Sequence, residues 1–340
     1  MVESKSAAGP SPQLFFETVN AYQRTAALKA AVELDVFTAI GEGGKSPQEL
    51  AAECGTAERG IRILCDYLVV LGFLTKQGNR YQLTQDSAAF LNRKSPMYVG
   101  GAINFLLLPT LTDNFKDLAA AVRKGGTVLT NEGTVSVENP IWVEFARSMA
   151  PMTTLPAQKM AQLVKLAPDK KSKVLDIAAG HGKFGIAFGA AYPKAEIVAL
   201  DWASVLEVAR ENARAAGLES RFRTIPGSAF DAEYGSDYDV VLLTNFLHHF
   251  DIETCEKLLR RVKSALRKGG SAVVLDFVPN EDRVTPPMAA SFSLMMLGST
   301  PSGDAYTFSE YERMFSNAGF GHTELHTLQP TFSSVVIAQT

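Results

Sequence analysis

Cysteine is scarce in this chain: Cys54, Cys65 and Cys255 stand alone, with no CxxC spacing. No disulfide framework is expected, and a reducing, cytoplasmic setting fits better. No hydrophobic run is long and unbroken enough to span a bilayer. The opening MVESKSAAGP has no apolar core of the kind a signal peptide needs. Neither sign of charge dominates, since 33 basic residues meet 36 acidic ones for a net charge of -3. That balance gives no global pull toward nucleic acid or an anionic membrane, and neither partner is expected. Repeats and low-complexity tracts are missing too. Histidine is rare, five in 340 residues, yet two of them stand side by side in TNFLHHFDIETC.

What is present points to a soluble globular protein. At 340 residues the chain exceeds one compact core, and roughly two domains of about 100–200 residues are expected. Residues 1–10 are small and polar and read as a disordered tail. Leu14 to Ile40 carries apolar residues at helical spacing and reads as two helices. KSPQELAAEC follows, with Ser46 as N-cap, Pro47 at the first helical position and Glu49 completing a capping box. TAERGIRILCDYLVVLGFL repeats that logic with Thr56 as cap. TKQGNRYQLT reads as a hairpin turning at Gln77-Gly78-Asn79. Helices followed by a two-stranded wing make a winged-helix pattern over 11–100. Residues 101–165 read as a helical linker and acceptor-pocket region, with a glycine break near Gly125. From 166 to 340, short β-branched runs alternate with helical segments at 182–191, 202–216, 253–267 and 308–318. That alternation predicts an α/β, Rossmann-like doubly wound parallel sheet, whose late last strand suits an antiparallel insertion.

VLDIAAGHGKFGIAF is a buried strand running into a glycine loop that opens a helix. Gly180 and Gly182 let backbone approach a ligand, and the helix start offers free N–H groups. Asp201 lies 19 residues past Gly182 at the end of the next strand, where an acid holds a ribose diol. Three ligands compete for such a loop. A P-loop needs Gly-Lys-Ser/Thr, and Gly182-Lys183-Phe184 fails it. Gly180, Gly182 and Gly185 do match the dinucleotide spacing. Asp176, ending the first strand, tips the balance: a carboxylate there repels a pyrophosphate but suits an ammonium group, which S-adenosylmethionine (SAM) has.

With that strand-acid-loop-strand-acid order, the chain resembles the class I SAM-dependent methyltransferases. IPGSAFD, YDVVLLTNFLHHF, LRKGGSAVVLDFVP and YTFSEYERMFSNAGF follow in the order of the small-molecule O-methyltransferases. That group includes caffeate-type, hydroxyindole-type and bacterial polyketide-tailoring enzymes of secondary metabolism. The N-terminal winged-helix region belongs to the same pattern, so the resemblance spans nearly the whole chain. It implies SAM as cofactor, a homodimer formed through residues 11–100, and a methyltransferase domain over 166–340. Asp176, Gly180, Gly182, Asp201, Trp202, Ser228, Ala229, Phe230, Asn245 and Thr153 would line the cofactor. Met149, Met152 and His249 would line the acceptor. Ala178 and Ser228 depart from the family's glycine and aspartate, and Thr244 from its lysine.

The histidine pair admits three readings: base, metal ligand, or ordinary residues at a strand end. Adjacent residues do not share a face of a strand or helix, and no third and fourth ligand follows at recognisable spacing, so no metal is expected. The resemblance makes His248 the general base for an acceptor hydroxyl, with Asp276 as its orienter. His249 replaces the family's aspartate, and Ala305 its second acid, with Asp304 adjacent.

Three other functions compete. A winged helix can bind DNA, but the would-be reading helix carries Glu58, Arg59, Arg62 and Asp66, which cancel. N- or C-methylation, or non-methylating SAM chemistry, shares the architecture. The acceptor is expected to be a flat, hydrophobic small molecule, because Arg283 to Gly298 and the surroundings of Phe105 and Phe145 are apolar and Met-rich.

Overall fold

The computed structural model describes residues 9–129 and 133–340. Most of the expected tail at 1–10, and residues 130–132 of the linker region, lie outside the described residues. The chain divides into two compact units, 1–103 and 104–340. Among the described residues no helix is long and apolar enough to cross a membrane.

The first unit is helical with a small hairpin. Its helices are α1 (Gln13–Val19), α2 (Ala21–Glu33), α3 (Val36–Ile40), α4 (Pro47–Glu53), α5 (Glu58–Val70) and α6 (Gln85–Phe90). Where periodicity suggested two helices before residue 40 there are three, because Asp35 adopts a left-handed conformation (φ 56°) that breaks the run. The α4 capping box forms as expected, Ser46 accepting from the Glu49 amide while Glu49 reaches back. Thr56 does not cap α5: Ala57 takes that position, and the Thr56 hydroxyl is buried without a partner among the described residues. Strands β1 (Leu74–Gln77) and β2 (Arg80–Leu83) pair antiparallel about a turn at Gly78 and Asn79. Ala31, Phe37, Ile40, Leu50, Ile61, Leu68, Leu74 and Tyr81 form its core. The α1 helix contributes nothing to that core, and none of its residues is buried.

The second unit opens with short helices α7 (Ile103–Leu106, starting at the unit boundary), α8 (Pro109–Thr112) and α9 (Leu118–Lys124). Gly125, left-handed at φ 80°, ends α9 at the expected break. The long α10 (Ile141–Leu163) follows, and then strands and helices alternate. The strands are β3 (Ser172–Ile177), β4 (Ala195–Asp201), β5 (Phe222–Pro226), β6 (Tyr238–Thr244), β7 (Leu266–Asp276), β8 (Thr323–Thr327) and β9 (Ser334–Gln339). The helices are α11 (Lys183–Ala191), α12 (Ala203–Ala215), α13 (Ile252–Ala265), α14 (Pro287–Ser299) and α15 (Phe308–Asn317).

All seven strands form one sheet, ordered β5-β4-β3-β6-β7-β9-β8. The first five are mutually parallel, and β9 inserts antiparallel between β7 and β8. The strand β8, TELHT without a long apolar run, was not expected from the sequence. Side chains alternate between two cores, as strand geometry requires. Leu175, Val241 and Val274 face Leu258, Val262, Met314 and Phe315 of α13 and α15. Val174, Leu242 and Val273 face Met160, Phe184 and Phe188 of α10 and α11. Helices on both faces make the unit doubly wound. The strand order reverses between β3 and β6, so the carboxyl ends of these strands border the crevice where such folds bind ligands.

Candidate functional site

Three acids stand at that carboxyl edge: Asp176, one residue before the end of β3, and Asp201 and Asp276, the last residues of β4 and β7. The loop after β3 is bent by three residues with positive φ, Ala178 (52°), Gly180 (55°) and Gly182 (70°). Alanine at 178 thus departs from the usual glycine through its backbone, a conformation costing a non-glycine residue roughly 1 kcal/mol. The loop is tied to the end of β4. Ala179 N–H donates to the Leu200 carbonyl at 3.1 Å, and Gly180 N–H to Asp201 Oδ2 at 2.7 Å. Asp201 Oδ1 accepts the Trp202 amide at 2.7 Å. Each oxygen keeps a lone pair for a further donor. Burial raises the Asp201 carboxyl to about 6 despite these two bonds.

Asp176 is fully buried. Its Oδ2 accepts the Gly185 amide at 3.0 Å, while Oδ1 has no partner among the described residues. Burial, offset in part by the Gly185 bond, lifts this carboxyl to about 8. An orphaned acceptor of this kind fits a cationic donor such as an ammonium. Gly185 matters here for space: a Cβ would lie 2.7 Å from Ile197 and 3.1 Å from Asp176 Oδ2.

His181 inside the loop is a group the sequence reading passed over. Its Nδ1 accepts the Lys183 amide at 3.1 Å, and its ring lies 6.0 Å from Phe145, inclined 18°. Burial pushes it down to about 3, so it is neutral at neutral pH. Its rarity in the chain and its place between two glycines were the available signal.

Other expected cofactor residues sit as follows. Trp202 caps α12 and packs with Ala146, Val205 and Val208. Ser228 Oγ accepts the Phe230 amide at 3.1 Å, leaving its own hydroxyl proton to donate. Ala229 is buried and its carbonyl accepts the Tyr234 hydroxyl; Phe230 packs edge-on against Phe250. Asp231, the next acid after Ser228, is exposed. Thr153 is buried in α10 with its hydroxyl on the Ala150 carbonyl at 2.8 Å. Met149 packs with Phe105, Leu111 and Ile141, whereas Met152 is 42% exposed.

The histidines follow β6. Asn245 turns left-handed (φ 52°) with its amide on the Leu275 carbonyl at 2.8 Å, and a short 3-10 turn, Leu247–His249, begins. His248 Nδ1 lies 2.7 Å from Asp276 Oδ1. The same carboxylate accepts the Phe277 amide at 2.8 Å and, through Oδ2, the Tyr311 hydroxyl at 3.0 Å. Burial and Asp276 raise the Tyr311 phenol well above its usual range, so it remains a donor. With the carboxylate so held, the proton of neutral His248 belongs on Nδ1, leaving Nε2 the lone pair a base needs. Tyr311, 35 residues from Asp276 in sequence, was missed.

The two imidazoles meet: their centroids are 4.3 Å apart. The expectation that adjacent residues diverge holds for a strand and fails here, because a 3-10 turn takes the segment. Ala305 is buried, and Asp304 turns to Arg283 at 3.2 Å, so no acid is supplied from those positions. Among the described residues no group of three His, Cys, Asp or Glu is placed to hold a metal ion.

The chain is similar to known proteins over most of its length. A family model described as an O-methyltransferase domain matches residues 115–321, and an O-methyltransferase dimerisation domain matches 16–93. The chain is 28% identical over 317 residues to the 3-hydroxy-5-methyl-1-naphthoate 3-O-methyltransferase of Streptomyces sahachiroi, across 91% of this chain and 89% of that protein. It is 61% identical to a crystallised protein of Nostoc punctiforme PCC 73102 provisionally classed as an O-methyltransferase, with a TM-score of 0.95 over 98% of this chain and 100% of that one. Human N-acetylserotonin methyltransferase, solved with SAM, shares the fold at 22% identity and a TM-score of 0.85 over 99% of each chain.

Proposed function

This chain belongs to the SAM-dependent O-methyltransferase family, and from that membership we propose that it methylates a hydroxyl of a flat, hydrophobic aromatic or polyketide-like molecule, with His248 as general base. The observation carrying this reading is the buried His248–Asp276–Tyr311 chain at the sheet edge, 2.7 and 3.0 Å between its members. When bound, SAM supplies an electrophilic methyl group on a positively charged sulfur.

The residues then divide the work. Asp201 accepts from the ribose hydroxyls with the lone pairs its two amide bonds leave free. Asp176 offers Oδ1 to the ammonium, and Gly180 and Gly182 keep side chains out of the way. Trp202, Ser228, Ala229, Phe230, Asn245 and Thr153 surround the remainder, while Met149, Met152 and His249 flank the acceptor. His248 Nε2 removes the hydroxyl proton as the oxygen attacks. Asp276, itself held by Tyr311 and the Phe277 amide, stabilises the imidazolium so formed. Exclusion of water favours this step, because anion and cation combine to neutral products. Incubation with methyl-labelled SAM and a panel of phenols and naphthols is expected to yield labelled aryl methyl ethers. Label on a ring carbon, or turnover with the methyl still on sulfur, would sink the reading.

A homodimer completes the proposal. The dimerisation-domain match and the exposure of Leu14, Phe15, Phe16 and Val19 on α1 support a second copy covering that helix. Sedimentation equilibrium is expected to give twice the 36.7 kDa of one chain. A monomer at micromolar concentration would contradict it.

A further inference from the structure

His248 sits on a turn of three residues, Leu247–His249, outside the sheet and outside any long helix. So short a 3-10 turn makes few and poorly aligned bonds of its own, and its neighbours must set where its side chains stand. Two of them do so by hydrogen bonds. The Cys255 thiol on α13 donates to the Leu247 carbonyl at 3.2 Å, and the Tyr306 hydroxyl donates to the Phe250 carbonyl. The third contact is steric. Gly303, in the link between α14 and α15, lies so close to the turn that a Cβ there would overlap the His248 carbonyl oxygen and stand 2.9 Å from the His249 carbonyl carbon. Only glycine fits.

The link is itself held. Gly303 N–H donates to the Thr300 hydroxyl at 2.9 Å, and that hydroxyl, fully buried, donates to the Met296 carbonyl of α14 at 2.8 Å. The Thr300 carbonyl accepts the Thr127 amide at 2.8 Å. Here too backbone meets backbone: a Cβ on Gly126 would overlap the Pro301 carbonyl oxygen, and one on Gly133 that of Ser299. Residues 299–303 are thus wedged between the 126–133 loop and the turn that carries His248. The same α14 presents Phe292 edge-on to the His248 ring at 4.8 Å.

Resting on the reading of His248 as the base, we propose that Gly303, held by the Thr300 hydroxyl, is a positioning residue: its backbone is a stop against the His248 carbonyl that sets where Nε2 stands relative to the acceptor hydroxyl. A base must come within about 2.6–3.2 Å of its partner oxygen, and a displacement of about 1 Å costs roughly 10²-fold in rate. Contacts between side chains yield by changes of rotamer; a carbonyl packed against a Cα has no such freedom. A methyl group at 303 therefore moves the turn or the link, and His248 with it. Cys255 and Tyr306 still fasten the flanking carbonyls, so the turn is displaced rather than released.

The test is a double-mutant cycle on the full-length enzyme, read in single-turnover methylation of 2-naphthol and in calorimetric binding of SAM. Gly303→Ala is expected to lower the rate about 10²-fold while the dissociation constant for SAM stays within about twofold. In a His248→Ala background the same substitution is expected to cost no more than about twofold, since the group it displaces is gone. Thr300→Val, which removes the hydroxyl at nearly the same size, is expected to cost about tenfold, and Thr300→Ser to recover most of that loss. If Gly303→Ala does not fold, the cycle of Thr300→Val against His248→Ala takes its place. Equal losses with and without His248, or a Thr300→Val enzyme as fast as Thr300→Ser, overturn the proposal and leave a packing role. A His248→Ala enzyme as fast as wild type, or no aryl methyl ether from the wild type, is a separate result, which overturns the base reading beneath it.

Discussion

His248→Ala is expected to lower kcat by about 10²–10⁴-fold, the range for loss of a positioned general base, with little change in the dissociation constant for SAM. The split follows from position: His248 meets Asp276 and Phe292, whereas the two acids proposed for the cofactor, Asp176 and Asp201, stand on β3 and β4. The void left by the imidazole is bordered by Phe292 and His249, so added imidazole should restore part of the rate. The buried Asp276 keeps its bonds from Tyr311 and the Phe277 amide, which limits the damage to the fold. Single-turnover methylation by the purified variant checks this. A rate within a few-fold of wild type would show that the hydroxyl loses its proton elsewhere.

Asp201→Ala is expected to weaken SAM binding by about 10²-fold, because two hydrogen bonds to a charged acceptor are lost at roughly 1.5 kcal/mol each. Some of that loss comes through the loop, since Asp201 also holds the Gly180 amide. Acidity should act in the same direction. With burial setting the Asp201 carboxyl at about 6, a proton displaces its acceptor function below that pH, and affinity falls as pH drops from 7 to 5. Asp201→Asn should bind more weakly than wild type and show much less of this dependence. Calorimetric titration with SAM across that range decides, and an identical pH profile in the two proteins would exclude Asp201 as the source. Stability moves oppositely. A carboxyl raised from 3.8 to about 6 binds a proton in the fold that the unfolded chain has released, so this group's contribution to stability diminishes as pH rises through that window.

Much of the second unit could be read from its residues because the signals are local. Asp176, Gly180, Gly182 and Asp201 fall within one strand-loop-helix-strand stretch, and the structure gathers them through amide bonds onto one edge. Asp276 was identified by resemblance, and it indeed meets His248. What stayed hidden depends on tertiary placement. Tyr311 reads as one aromatic on an amphipathic helix, and only the docking of α15 turns its hydroxyl to Asp276. The contact between His248 and His249 depends on a 3-10 turn set up by left-handed Asn245, which periodicity does not register. Thr56 lost its capping place to Ala57, and TELHT pairs as β8 because β9 offers an edge.

The bare α1 helix has a thermodynamic corollary. Seven residues are too few to hold a helix in water unaided, and α1 buries none of its own side chains within one chain. If a second copy supplies the missing contacts, helix formation and association are a single equilibrium governed by mass action. Dilution would then fray the amino-terminal segment before anything else yields, and the melting temperature would climb with protein concentration.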